Sequence, residues 1–260
     1  MTEKYFLRFK ADDYEGSGIL VNEKIHPIKG DMYREYEIMD KSYSLDEIIF
    51  LPPCKPQKII CVGLNYADHA DESTLDAIPE EPLLFFKPTS SLIGHRDKII
   101  KPGWVDRVDY EGEIAAIIGK TMRYVSEAEA QAGIFGYTCV NDVTARNMQK
   151  KDKQWTRPKG FDTFCPVGPY IATGIDASSL SIQTRLNGKV VQQGNTSKMM
   201  RQPAEIISYI SKVMTIYPGD IISTGTPKGV GPLNDGDVIE IEIEKIGTLS
   251  NTVSEDEQHA

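Results

Sequence analysis

The sequence predicts an α+β fold that is predominantly β, and three observations carry this. Short segments of alternating polar and apolar residues recur along most of the 260 residues, which is the period-two pattern of half-buried strands. Convincing helical patterns are few. The strands are not separated by regular helices, so their order does not read as a repeated βαβ unit. A hydrophobic content of 40% is enough for one substantial core, and the length suits one main domain with a small appendage.

The segments KYFLRFK, GSGILVN and KIHPIK, with Gly and charged turns between them, read as small antiparallel strands. LPPCKP, Leu51 to Pro56, breaks the pattern, because proline neither donates to a strand ladder nor continues a helix. It separates a small N-terminal β domain, residues 1–55, from a main domain, residues 56–253. KIICVGLNY opens the main domain as an apolar strand ending in a glycine turn, and ADHADE after it has helical character. EIAAIIG, GYTCVND, GPYIAT, SIQTRLNGKVVQ, DIISTGTP and DVIEIEIEKIG follow as strands, with Asn187-Gly188 as a hairpin turn. Two helices have clear signals. Ser126 and Glu129 form a capping box before an Ala-rich helix that stops at Gly133. Pro203 occupies the first helical position before AEIISYISKVM, where Ile206, Ile207, Ile210, Val213 and Met214 mark one apolar face. The charged end, residues 254–260, is expected to be a disordered tail.

The formal net charge is −9, which argues against a nucleic-acid partner, since such a partner calls for clustered Lys and Arg. The N-terminus has no signal-type apolar region, and no run approaches the ~20 apolar residues that cross a bilayer. A soluble cytoplasmic protein without a membrane partner is expected. Cys54, Cys61, Cys139 and Cys165 are widely spaced and fit free thiols in a reducing compartment. Asn195-Thr196-Ser197 matches a glycosylation acceptor, a chance match in that compartment.

In RVDYEGEIAAIIGK, Glu111 and Glu113 stand two residues apart, one step after Asp109 and directly before an apolar run. In a strand they point to the same side and repel. Either water screens them on a wet strand face, or a hard divalent cation such as Mg2+ or Ca2+ lies between them. Asp142, at the end of the strand GYTCVND, offers a third oxygen donor, or alternatively an N-cap for the helix that follows. His69 and Glu72 are spaced i, i+3, so in a helix the carboxylate orients the imidazole as a general base. Lys159, in the loop-like RPKGFDTFCPVGP, can neutralise a substrate carboxylate or oxyanion. Cys165 nearby has no base beside it and reads as a small buried hydrophobe. TGTPKGVG, Thr224 to Gly231, is not a phosphate loop, but its amides and the Thr226 hydroxyl can grip a carboxylate.

Taken in order, NYADHADE, KPTSSLIGH, DYEGEIAAIIG, NDVTARNMQ, KGFDTFCPVGP and TGTPKGVG resemble the fumarylacetoacetate hydrolase family over about Lys58 to Val253. The resemblance implies a β-rich fold with a mixed sheet rolled around the site, a homodimer, and one Mg2+ or Mn2+ per subunit. It places the metal ligands on Glu111, Glu113 and Asp142, the His-Glu dyad on His69 and Glu72, and the substrate lysine on Lys159. It places further substrate contacts on Arg146, Gln149 and Thr226. The chain looks like the smaller branch of the family, with three protein ligands. The expected activity is metal-dependent C–C bond hydrolysis in a 1,3-diketo 2-oxo acid of the acylpyruvate or fumarylpyruvate kind. Alternatives are oxaloacetate decarboxylation or tautomerisation and 2-hydroxyhepta-2,4-diene-1,7-dioate isomerisation, and more distantly a non-catalytic protein stapled by its cation. The segment Ser73 to Glu81 is expected to select the far end of the substrate as a lid.

Overall fold

The computed structural model of the chain describes residues 2–68 and 79–256. At the N-terminus the alternating segments form the antiparallel strands Lys4–Ala11, Tyr14–Val21 and Lys24–Gly30. Lys4–Ala11 then pairs with Cys165–Thr173, Lys4 lying opposite Thr173, so the N-terminal strands extend the main sheet. That sheet continues through Ile134–Asn141, Gly112–Ile118, Ile221–Ser223 and Ile59–Gly63 to an edge at Leu83–Lys87, and counts twelve strands among the described residues. Ile221–Ser223 runs parallel to Ile59–Gly63 within an otherwise largely antiparallel order, so the sheet is mixed. A five-stranded sheet from Lys189–Asn195 to Lys98–Pro102 and a three-stranded one around Val108–Tyr110 complete the β structure described.

Gly112–Ile118 is buried along its whole length. Ile114, Ala116 and Ile118 face one apolar cluster with Ile206, Ile207 and Ile210, while Ala115 and Ile117 face another with Val140, Cys165 and Ile221. A strand covered on both faces needs no polar alternation, and its sequence has none after Glu113.

The sheet is rolled. Lys87 Nζ lies 2.6 Å from Asp142 Oδ1, yet three strands separate the Leu83–Lys87 strand from the one that leads into Asp142. Laid flat at ~4.8 Å per strand, that path would span about 19 Å, beyond the reach of a lysine side chain. Curling of the sheet closes the gap.

The capping box at Ser126 is formed in both directions, Ser126 N to Glu129 Oε2 at 2.8 Å and Glu129 N to Ser126 Oγ at 3.3 Å. Asn187 and Gly188 both have positive φ, as the hairpin requires. Pro203 begins the helix Pro203–Val213, and Ile206, Ile207 and Ile210 are buried. Val213, expected on the same face, is exposed, because the helix ends there and Met214 takes up the contact with the core. The tail also differs from expectation. Ser254, Glu255 and Asp256 belong to the strand Gly247–Asp256, opposite Ile100, Lys101 and Pro102, because backbone pairing with a distant strand outweighs their local polarity. Residues 257–260 lie outside the described residues. Among the described residues, no helix is long and apolar enough to cross a membrane.

Candidate active site

Strand register assembles the acidic group. Glu113 lies opposite Val140 and Gly112 opposite Asn141, and the Asp142 amide donates to Glu111 O at 2.9 Å. Period-two alternation then puts Glu111, Glu113 and Asp142 on one face of two adjacent segments. One oxygen from each lies within 4.8 Å of the others. Glu111 stands between the strands Val108–Tyr110 and Gly112–Ile118, where the chain passes from the small sheet to the main one, and its amide is held by Asn141 Oδ1 at 3.0 Å. The three residues are only 5%, 1% and 1% exposed, so water does not screen their repulsion. Asp142 caps no helix. The helix Arg146–Lys151 has Ala145 at its N-cap with no side-chain bond.

Cationic and neutral donors surround the group. Lys159 Nζ bridges Glu111 Oε2 at 2.8 Å and Asp142 Oδ2 at 2.6 Å. Contrary to the loop expected, Lys159 ends a single helical turn, Thr156–Lys159, its amide donating to Trp155 O at 3.2 Å. Gly160 permits that turn, since a Cβ there would lie 2.4 Å from Thr156 O. Arg146 donates to Glu111 Oε1 at 2.6 Å, to Asp109 Oδ2 at 2.8 Å and to Gln149 Oε1 at 2.7 Å. Asp109, two residues before Glu111, is therefore drawn out of the acidic group by Arg146 and Arg107. Glu113 Oε2 accepts from Ser223 Oγ at 2.5 Å and Gly225 N at 2.9 Å. The glycine-rich turn does grip a carboxylate, but it is the protein's own. Thr226 hydroxyl is engaged within the fold, donating to Gly112 O at 2.8 Å and accepting from Gln192 Nε2 at 2.9 Å.

Burial, then the charges of Asp142 and Glu111, push the Glu113 carboxyl up to about 8. Burial works against the charge of Lys159, but Asp142 and Glu111 outweigh it and hold the ammonium above the usual lysine value. Three hard oxygen donors that repel one another in a buried place fit a divalent cation, which neutralises the charge that raises Glu113. Over the group opens a pocket lined by Phe85, Trp155, Gln149, Thr226 and Leu64.

Of the residues expected from sequence, the structure brings together Glu111, Glu113, Asp142, Lys159, Arg146, Gln149 and Thr226 around this pocket. His69 and Glu72, and Ser73 to residue 78 of the expected lid, lie outside the described residues. Two participants have a role that the sequence does not announce: Lys87, which opens the motif KPTSSLIGH and is buried on Asp142, and Ser223, buried on Glu113. Lys87 does end an apolar run at a proline, LLFFKP, an unusual place for a buried cation. Cys165 is buried beneath the site in the apolar cluster, as expected, and burial pushes its thiol up to about 12.

The family described as Fumarylacetoacetate (FAA) hydrolase C-terminal matches residues 58–254. The chain belongs to the fumarylacetoacetate hydrolase family. A second family, described as Rv2993c-like, N-terminal, matches residues 6–53. An uncharacterised protein of Archaeoglobus fulgidus is 54% identical over 247 residues, 94% of each chain. The human mitochondrial oxaloacetate tautomerase FAHD2A is 41% identical over 220 residues, 80% of this chain and 70% of its own length. Among solved structures of the fumarylacetoacetate hydrolase fold, 2-hydroxyhepta-2,4-diene-1,7-dioate isomerase from Mycobacterium marinum superposes with a TM-score of 0.91, at 39% identity over 98% of this chain and 99% of the other. Maleylpyruvate hydrolase from Sphingobium sp. SYK-6, in complex with manganese(II) and pyruvate, has a TM-score of 0.81 at 30% identity, covering 97% of this chain and 100% of the other.

Proposed function

We propose that this member of the fumarylacetoacetate hydrolase family is a divalent-metal-dependent enzyme acting on a small 2-oxo acid, and that its reaction is keto–enol tautomerisation of a 2-oxo dicarboxylate such as oxaloacetate. The observation that carries this is the convergence of three buried carboxylates beside Lys159, Arg146 and Gln149, which sets a cation-accepting group next to donors for an anion. The likeness to human oxaloacetate tautomerase, at 41% identity, supports the choice of reaction. Glu111, Glu113 and Asp142 would hold the ion as Mg2+ or Mn2+, and manganese is the ion in the Sphingobium complex. When bound, the ion supplies Lewis acidity toward the carbonyl of the 2-oxo acid.

The chain's own groups do the rest. Lys159 steadies the negative charge that develops as the enolate forms, and the Gln149 amide donates to the same end of the substrate. Arg146 fixes Gln149 and Glu111 in place. Phe85 and Trp155, with ring centroids 5.2 Å apart, form an apolar wall that limits water. His69, the base that the family resemblance implies together with Glu72, would take the proton from the enol oxygen and return it to carbon, so that the step balances with no other proton donor. A homodimer in the cytoplasm is the assembly that goes with this reading. C–C hydrolysis of a 1,3-diketo acid is the second reading, favoured by the maleylpyruvate hydrolase likeness, and there His69 deprotonates a water instead.

The test offers purified protein with Mg2+ or Mn2+ first enol-oxaloacetate and then acetylpyruvate. Enol absorbance is expected to decay faster than in the metal-only control, with no pyruvate released from acetylpyruvate. Pyruvate release from acetylpyruvate selects the second reading. Silence toward both substrates and a wider 2-oxo-acid panel rejects both readings in favour of a cation-stapled binding protein.

A further inference from the structure

We infer that Lys87 is a positioning residue that restricts Asp142 to giving a single oxygen to the cation, and that this restriction, repeated at the other two carboxylates, makes the site take Mg2+ or Mn2+ in preference to Ca2+. The inference rests on the metal-dependent reading above and adds to it a basis for choosing among ions.

Each carboxylate has one oxygen tied by a donor other than Lys159, and Lys159 holds the second oxygen of Glu111 and of Asp142. Glu111 Oε1 takes Arg146 Nη2 at 2.6 Å. Glu113 Oε2 takes Ser223 Oγ at 2.5 Å and Gly225 N at 2.9 Å. Asp142 Oδ1 takes Lys87 Nζ at 2.6 Å. Lys159 Nζ donates to the other oxygens of Glu111 and Asp142, at 2.8 and 2.6 Å, so these are the two oxygens that an ion would share with it or take from it.

Lys87 is the most buried of the charged donors. Its side chain is 0% exposed, and its second bond, to Val143 O at 3.0 Å, fastens it to the residue after Asp142. Leaving Asp142 would cost the Lys87 ammonium several kcal/mol, because its remaining bond is to the neutral carbonyl of Val143 and, among the described residues, no other carboxylate is bonded to it. Asp142 cannot then turn both oxygens to an ion. Three carboxylates giving one oxygen each would leave room for water or a chelating substrate on a bound ion, which suits the six-oxygen preference of Mg2+ and Mn2+. Ca2+ is larger, takes six to eight oxygens and can reach that number through two-oxygen carboxylate ligation, which the tied oxygens deny. Lys87 also sits two residues after Phe85 of the pocket wall, so the wall strand and the metal ligand are fastened to each other across the roll of the sheet.

The test measures Kd for Mg2+, Mn2+ and Ca2+ by calorimetry on chelator-treated protein, with circular dichroism to establish folding. The wild type is expected to bind Mg2+ and Mn2+ more tightly than Ca2+. Lys87→Met, which keeps the length and apolar volume but frees Asp142 Oδ1, is expected to shift the Ca2+ to Mg2+ affinity ratio toward Ca2+ by roughly tenfold, the lower range for outer-shell changes. Lys87→Arg, which retains a charged donor, should restore most of the wild-type ratio. Ser223→Ala should shift the ratio in the same direction but less, because the Gly225 amide remains on Glu113. A folded Lys87→Met protein with the wild-type ratio overturns the inference. Should that variant not fold, an unchanged ratio in Ser223→Ala overturns it instead. A wild type that binds none of the ions sinks the metal-dependent reading itself, an outcome distinct from a wild type that binds them while its variants keep the same ratio.

Discussion

Glu111 is held by two cations, Arg146 and Lys159, and its carbonyl accepts from the Asp142 amide, so it joins the cationic side of the site to the other carboxylates. Glu111→Gln is expected to weaken Mg2+ or Mn2+ binding at least ~100-fold, the upper range for altered outer-shell partners being the floor for a lost ligand. Calorimetric titration reads this directly, and unchanged affinity would place the ion elsewhere. The same residue shows what a sequence makes legible at this scale. Glu111 and Glu113 declare themselves by i, i+2 spacing ahead of an apolar run, and Asp142 by its place at a strand end. Asp109 has the same spacing before Glu111, but nothing local says that Arg107 and Arg146 will claim it. Lys87 is hidden for a related reason, because its partner is 55 residues away and meets it only through the roll.

Secondary structure was legible where its causes are local. Ser126 and Glu129 satisfy each other's backbone within four residues, and the box read from sequence is present in the structure. Ser126→Ala should lower stability by about 1 kcal/mol, the usual worth of an N-cap side chain, without changing metal affinity, because this helix contributes nothing to the pocket lining. Denaturant unfolding paired with metal titration separates the two quantities. Gly225 gives the opposite pairing. Its φ is +94° and a Cβ would lie 2.9 Å from Asn65 Cβ, so alanine there costs ~1–3 kcal/mol of backbone strain. The shift also moves the amide that donates to Glu113. Gly225→Ala should therefore lose both stability and Mg2+ affinity, and loss of stability alone would mean that the amide does not hold the ligand. Strand extension to Asp256 and the helical turn ending at Lys159 escaped the sequence because each is set by distant partners or by the fit of one glycine.

At the scale of the whole molecule, strand register sets like charges together in the interior, the roll brings Lys87 to them, and stability comes to depend on pH and on the ion together. Short alternating strands and an absent βαβ rhythm announce a β-rich fold, whereas the closing of the sheet appears only when Lys87 meets Asp142. The folded Glu113 carboxyl stands at about 8, against an ordinary value of 4.5, through burial and then Asp142 and Glu111. Between these values the native protein holds a proton that the unfolded chain releases, so folding stability falls as pH rises through that window. Its contribution is whole below the ordinary value and gone above about 8. The ion acts in the other direction, because it binds the ionised carboxylate and nothing comparable in the unfolded chain, so its stabilisation grows as pH rises. Calorimetric melts in chelator should show the midpoint dropping across the window, saturating Mg2+ should cancel much of the drop, and Glu113→Gln should flatten the slope in chelator. An equal slope in wild type and Glu113→Gln would mean that this carboxyl does not carry the proton, and that the repulsion among the three acids is relieved at another member of the group.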